Sequence, residues 1–115
     1  MASIVKPLAE NVFLPAAAPA TPGQYVAPAS TTTTIKKATV CNTDAVAHLV
    51  TVYKVQSGHA AQRQYSIWYQ RGLSPGQSMD IFELENHVLA SGDFISAFAD
   101  TASQVTFSLS GIETA

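Results

Sequence analysis

From residue 31 onward, apolar and polar positions alternate in short runs, and turn-forming residues separate the runs. The stretch 31–42 opens with consecutive threonines and continues through Ile35, Thr39 and Val40, a β-branched composition that favours a pleated strand. Asn42-Thr43-Asp44 supplies turn chemistry, and 46–55 is the strongest strand signal, with Leu49, Val50, Val52, Tyr53 and Val55. In 65–69 the period of two puts Tyr65, Ile67 and Tyr69 on one face and Ser66 and Trp68 on the other, and the expectation is that the tyrosine face is core. Ser74-Pro75-Gly76-Gln77 is a reverse turn leading into a strand at 78–82. One helical turn is expected within 83–89, a strand at 93–99, and a hairpin loop at 100–103. The last strand, 104–112, sets Val105, Phe107 and Leu109 against Thr106, Ser108 and Ser110. About six strands at this spacing predict an all-β fold, a small antiparallel β-sandwich or barrel over 31–115.

The first 30 residues follow another rule. Five of the six prolines lie there, at Pro7, Pro15, Pro19, Pro22 and Pro28. Proline fixes φ, removes a donor and drives the preceding residue toward extended backbone, so 16–23 is expected to be extended or irregular. Disordered tails are rich in charge and poor in apolar residues. This segment carries only Lys6 and Glu10 as charges, beside Ile4, Val5, Leu8, Val12, Phe13, Leu14, Tyr25 and Val26. It reads as an extended N-terminal arm that needs a surface, either its own domain or a neighbouring subunit. The second is favoured, because roughly 30 extended residues reach about 100 Å. The partner-binding candidates are Val12, Phe13, Leu14, Tyr25 and Val26 of the arm, with Trp68 of the sandwich.

Composition sharpens this picture. Charged residues are 12 % of the 115, about half the usual share of roughly 25 %. So few charges point to a surface partly covered by a partner. The net charge is −2 and the six Lys and Arg are scattered, which argues against a nucleic-acid partner. Prolines interrupt every apolar stretch of the arm, so neither a membrane span nor a targeting signal is expected. The single cysteine, Cys41, excludes an internal disulfide and is expected to pack as a small hydrophobe.

Catalytic constellations are sparse. His48, His59 and His87 have no metal-ligand spacing among them. Cys41 and His48 lie seven apart across a turn, too little for zinc, which takes three or four ligands. Asp80, Glu83 and Glu85 read as a solvated edge rather than a glycosidase pair, and Asp93 and Asp100 complete no calcium loop. No nucleophile elbow, phosphate loop or dinucleotide fingerprint occurs. No enzyme activity and no cofactor are expected. Tyr65, Trp68 and Tyr69, crowded into one strand, are expected to serve core and contact before sugar stacking.

Some of these stretches recur together in one family. They are Ile35-Lys36-Lys37-Ala38-Thr39-Val40-Cys41-Asn42-Thr43, His48-Leu49-Val50-Thr51-Val52-Tyr53, Leu73-Ser74-Pro75-Gly76-Gln77-Ser78 and Val88-Leu89-Ala90-Ser91-Gly92-Asp93-Phe94-Ile95-Ser96-Ala97. In that order they resemble small structural proteins of tailed bacteriophages, over about the last two-thirds of the chain. The resemblance implies a virion component with no catalytic residues, and its expected partners are further copies of itself and other virion proteins, foremost the major capsid protein. A capsid decoration or cement protein bound through the arm and one sandwich face is the leading expectation. A glycan-binding module of a fibre or tail tip and a neck or tail accessory protein are the alternatives.

Overall fold

A computed structural model describes residues 3–17 and 24–115. Among them nine strands form two antiparallel sheets: β1 (Ser3–Phe13), β2 (Tyr25–Val26), β3 (Thr32–Asn42), β4 (His48–Val55), β5 (Ser66–Leu73), β6 (Ser78–Asp80), β7 (Val88–Leu89), β8 (Phe94–Ala99) and β9 (Val105–Thr114). The first sheet runs β1-β9-β3, and β6 and β7 share the far edge of β3; the second runs β2-β8-β4-β5. The all-β sandwich expected from the alternation is the fold observed.

The core follows from the period of two. Val105, Phe107 and Leu109 of β9 and Ile35, Ala38 and Val40 of β3 face Val50 and Val52 of β4, Trp68 of β5, and Ile95, Ala97 and Ala99 of β8. Each large side chain buried this way contributes about 1.5–3 kcal/mol. A register shift between Ile35 and Lys37 lets Ile35 and Ala38 both point inward, leaving Lys36 and Lys37 exposed together. A second apolar cluster, Tyr53, Val55 and Phe94, has Ala61 and Tyr65 of the β4–β5 connection packed against it.

Several local expectations change once strand neighbours are known. The first 30 residues are not set apart from 31–115: β1 pairs with β9 from Ser3↔Thr114 to Phe13↔Thr106, β2 pairs with β8, and Leu14 and Ala27 lie in the core. Pro7 is compatible with β1 because β1 is an edge strand, where a missing donor leaves no central ladder bond unmade. Two register shifts follow Pro7, and Asn11 takes φ 48°, with Ser108 Oγ accepting its N–H at 3.1 Å and donating to its Oδ1 at 2.8 Å. Of the 16–23 segment, residues 18–23 lie outside the described residues. The 100–103 loop is no hairpin, since β8 and β9 belong to different sheets. The helical turn expected in 83–89 is a single 3-10 turn, Phe82–Leu84, interrupting the edge strand that β6 and β7 form along β3. The 74–77 turn is as expected: Gln77 N–H donates to Ser74 O at 3.0 Å, and Gly76 takes the φ of 73° that such a turn requires.

Candidate functional site

β1 is the most exposed element. Only Leu8 and Ala9 of its eleven residues are partly buried, while Ile4, Val5 and Phe13 are more than half exposed and Val12 is 38 % exposed. Val26, on the short edge strand of the other sheet, is similarly open. The exposed residues of β1 thus include four large apolar side chains, carried on both faces because neighbours in a strand alternate, beside the two charges Lys6, held by Glu113 at 3.3 Å, and Glu10.

Behind this edge the chain is firmly seated. Leu14 is 1 % exposed, its N–H donates to Val105 O at 2.8 Å, and its carbonyl accepts from Ser103 at 3.3 Å. Pro15 O accepts from Ala99 N–H at 2.9 Å. Gln24 continues the edge of β8 with its side chain, accepting from Ala97 N–H at 2.6 Å and donating to Ala97 O at 2.7 Å. The Tyr25 hydroxyl meets Glu113 Oε2 and Thr33 Oγ1, and burial, with the hydrogen bond to Glu113 second, pushes its phenol up to about 12. The six candidate contact residues thus divide. Val12, Phe13 and Val26 are open, and Tyr25 is half-buried. Leu14 and Trp68 are corrected to core positions, because burying them against their own chain leaves no surface for a partner.

Trp68 also departs from the face expected for it. The pairing of Val52 with Trp68 turns the indole inward, so Tyr69 points outward and is 46 % exposed. Trp68 Nε1–H donates to Glu83 Oε1 at 2.8 Å. The Arg71 guanidinium lies 4.8 Å from the Trp68 ring centroid and donates to Glu83 Oε2 at 3.0 Å. The Trp68 bond first, then a backbone hydrogen bond and Arg71, hold the Glu83 carboxyl below the usual carboxylate range. A sugar-stacking platform on this indole would require its face, which is buried. On the outer face of the second sheet, Arg63 lies 5.9 Å from the Tyr69 ring centroid, and the Tyr65 hydroxyl meets His59 Nδ1 at 3.0 Å.

The remaining candidates are dispersed. Cys41 is a half-buried free thiol paired across strands with Ser78 and Thr106, away from any core role of the kind expected for a fully buried cysteine. Asp80 accepts from Thr39 Oγ1 at 3.0 Å and lies 3.5 Å from Lys37 Nζ, apart from the Trp68 cluster that takes Glu83. Among the described residues no group of three His, Cys, Asp or Glu is placed to hold a metal ion, and no helix is long and apolar enough to cross a membrane.

One cluster escaped the sequence reading. His48, 5 % exposed, has Nε2 at 2.7 Å from Asp44 Oδ2 and Nδ1 at 2.7 Å from Asp100 Oδ1. A neutral imidazole has one donor and one acceptor, whereas two carboxylates both require donors. The ring in this geometry is the imidazolium. The hydrogen bond to Asp44 is the main cause that raises the His48 pKa above its ordinary value, and burial opposes it. The same bond, then Ala45 N–H, holds Asp44 below the usual range. Asp44 and His48 flank a turn four residues apart, which is a signal; Asp100, 52 residues on, is not visible as their neighbour.

No protein-family model, no curated protein and no solved structure matches the chain.

Proposed function

We propose that this chain is a structural protein of a bacteriophage virion, a capsid decoration protein that fastens to the assembled head through the exposed edge strand β1. The observation that carries the reading is the exposure of Ile4, Val5, Val12 and Phe13 on one edge strand that is anchored from behind by Leu14. Exposed apolar side chains gathered on one element mark an interaction surface, and scattered ones do not. Two features oppose casual strand-to-strand aggregation at this edge: Pro7 within the strand and the register shifts around Ala9. A specific side-chain contact is the use left for it. The low charged fraction of the chain suits permanent assembly, and the phage-like motifs within 33–112 agree with it. The partners are the major capsid protein and further copies of the chain.

The test is a copy count in purified particles, together with co-sedimentation of the full chain and its Val5→Asp and Phe13→Ser variants with empty heads. Hundreds of copies per particle and loss of co-sedimentation in folded variants support the decoration reading. About a dozen copies point instead to the neck or tail. Absence from particles overturns the virion assignment.

A further inference from the structure

We infer that His48, held between Asp44 and Asp100, is a pH-operated clamp on the seat of the N-terminal strand, closed while the ring carries both protons and open once it has lost one. The clamp joins the two connections that cross between the sheets at this end of the molecule. Residues 43–47 lead from β3 to β4 and contribute Asp44; residues 100–104 lead from β8 to β9 and contribute Asp100. The two connections also touch directly, with Thr43 N–H donating to Gln104 O at 2.9 Å and Thr43 Oγ1 donating to the same oxygen at 2.7 Å.

The two carboxylates are not held equally. The Asp44 carboxylate also accepts the Ala45 N–H at 2.7 Å, and its backbone N–H donates to Asn42 Oδ1 at 3.0 Å, the Asn42 amide being fixed by the carbonyls of Val46, Leu73 and Ser74. The Asp100 side chain is 43 % exposed and its backbone N–H donates to Leu49 O. On losing a proton the ring keeps its donor toward Asp44, and the bare Nδ1 lone pair then faces Asp100 and repels it. The charged groups acting on the ring are these two acids. The neighbouring elements present Leu73 of β5 opposite His48 and Asn42 at the end of β3, neither of which titrates.

Release of Asp100 bears on the arm because the same connection seats it. Ser103 N–H donates to Leu14 O, Leu14 N–H to Val105 O, and Ala99 N–H, next to Asp100, to Pro15 O. Leu14 and Pro15 follow directly on β1. The sign follows from the protons. His48 has a raised folded pKa, so the clamp is complete below the ordinary histidine value and is lost as pH rises through the raised one. Asp44 has a lowered folded pKa, so the clamp also persists into acid until pH falls through that value. The inference holds whatever surface β1 meets.

The experiment is NMR on the full chain as pH is raised from below the ordinary histidine value until the His48 ring has lost its proton. It follows the His48 ring and the amide exchange of Leu14, Ala99 and Ser103, corrected for intrinsic rates. Protection at these amides is expected to fall about tenfold per unit of pKa difference between closed and open forms. It should fall in step with the His48 titration, while Val52 and Phe107 at the sheet centres stay protected. Asp100→Asn should lower the His48 titration and loosen the same amides already at the acid end. A His48 that titrates at or below the ordinary histidine value overturns the clamp, as does protection at Leu14 and Ala99 that ignores the titration. If the Asn variant does not fold, the wild-type titration alone decides.

Discussion

The Tyr25 hydroxyl donates to Glu113 Oε2 at 2.5 Å, and this bond fastens a two-residue strand of one sheet to the last strand of the other. Lys6 of β1 reaches the second oxygen of the same carboxylate at 3.3 Å. Glu113 therefore gathers both strands contributed by the first 30 residues.

Tyr25→Phe removes the donor and leaves Glu113 with Lys6 alone. A hydrogen bond to a charged group is worth about 1.5–3 kcal/mol, so thermal or urea unfolding should register a loss of that size. The pH dependence carries a second signature. The phenol's folded pKa is raised from 10.0 to about 12, so its contribution is full below pH 10 and is lost between about 10 and about 12. The variant should show a flatter alkaline decline in that window. An unchanged decline would assign it to other groups.

Trp68→Phe tests the closed cluster on β5. It keeps an aromatic ring in the core but loses the Nε1–H donor to Glu83, and a loss of about 1–3 kcal/mol is expected from the mechanisms that make core substitutions costly. Glu83 has a lowered folded pKa, so its contribution is present above the ordinary carboxylate value and lost as pH falls through the lowered one. Without the indole bond that pKa moves back toward its ordinary value, so the variant should lose less additional stability in acid, and the gap between the two proteins should narrow as pH falls.

How much of this was legible depended on whether the information was local. Val105, Phe107 and Leu109 declared their face by alternation alone, and the Pro75-Gly76 turn by its residue types. In the 65–69 stretch Ile67 and Tyr65 do pack on apolar clusters, but Trp68 and Tyr69 exchange the places expected for them, because Tyr65, Ile67 and Tyr69 form the more apolar set. The facing of β5 is fixed instead by register with β4, where Trp68 meets Val52. The arm was set apart from the sandwich because prolines argue against strand, and an edge position, which tolerates them, is a property of the sheet rather than of the segment. The His48 cluster was hidden for the same reason, since Asp100 reaches it only through the crossing of two connections between sheets.

Gly111 is required by close approach. A Cβ there would run into the Thr34 carbonyl oxygen and come within 3.0 Å of Leu8 Cδ1 and 3.3 Å of Ile35 Cα. Leu8 is a flexible side chain and can give way, but the backbone of β3 cannot without breaking its ladder with β9. Gly111→Ala should therefore cost about 1–3 kcal/mol or more, the range for overpacking a dense interior. Gly58→Ala is the control, with open space around its Cβ and only the strain of φ 83° to bear. Denaturant midpoints at equal slope would separate the two.

The N-terminal strand makes the last prediction a contrast between neighbours. Leu14→Ala empties a site that is 1 % exposed, and a buried Leu→Ala change costs about 2–5 kcal/mol. Phe13→Ser, one residue earlier on the outward side, and Val5→Ser should each stay within about 0.5 kcal/mol in the isolated chain, because neither side chain is buried against it. Removing residues 1–30 takes away β1, β2, Leu14 and Ala27 together and should leave no cooperatively folding remainder. A truncated chain that melts like the full one would restore the arm as a separate unit. Near-neutral Val5 and Phe13 variants beside a crippled Leu14 variant would instead mark an edge kept apolar for a contact outside the fold, since nothing within the fold repays leaving those two side chains in water.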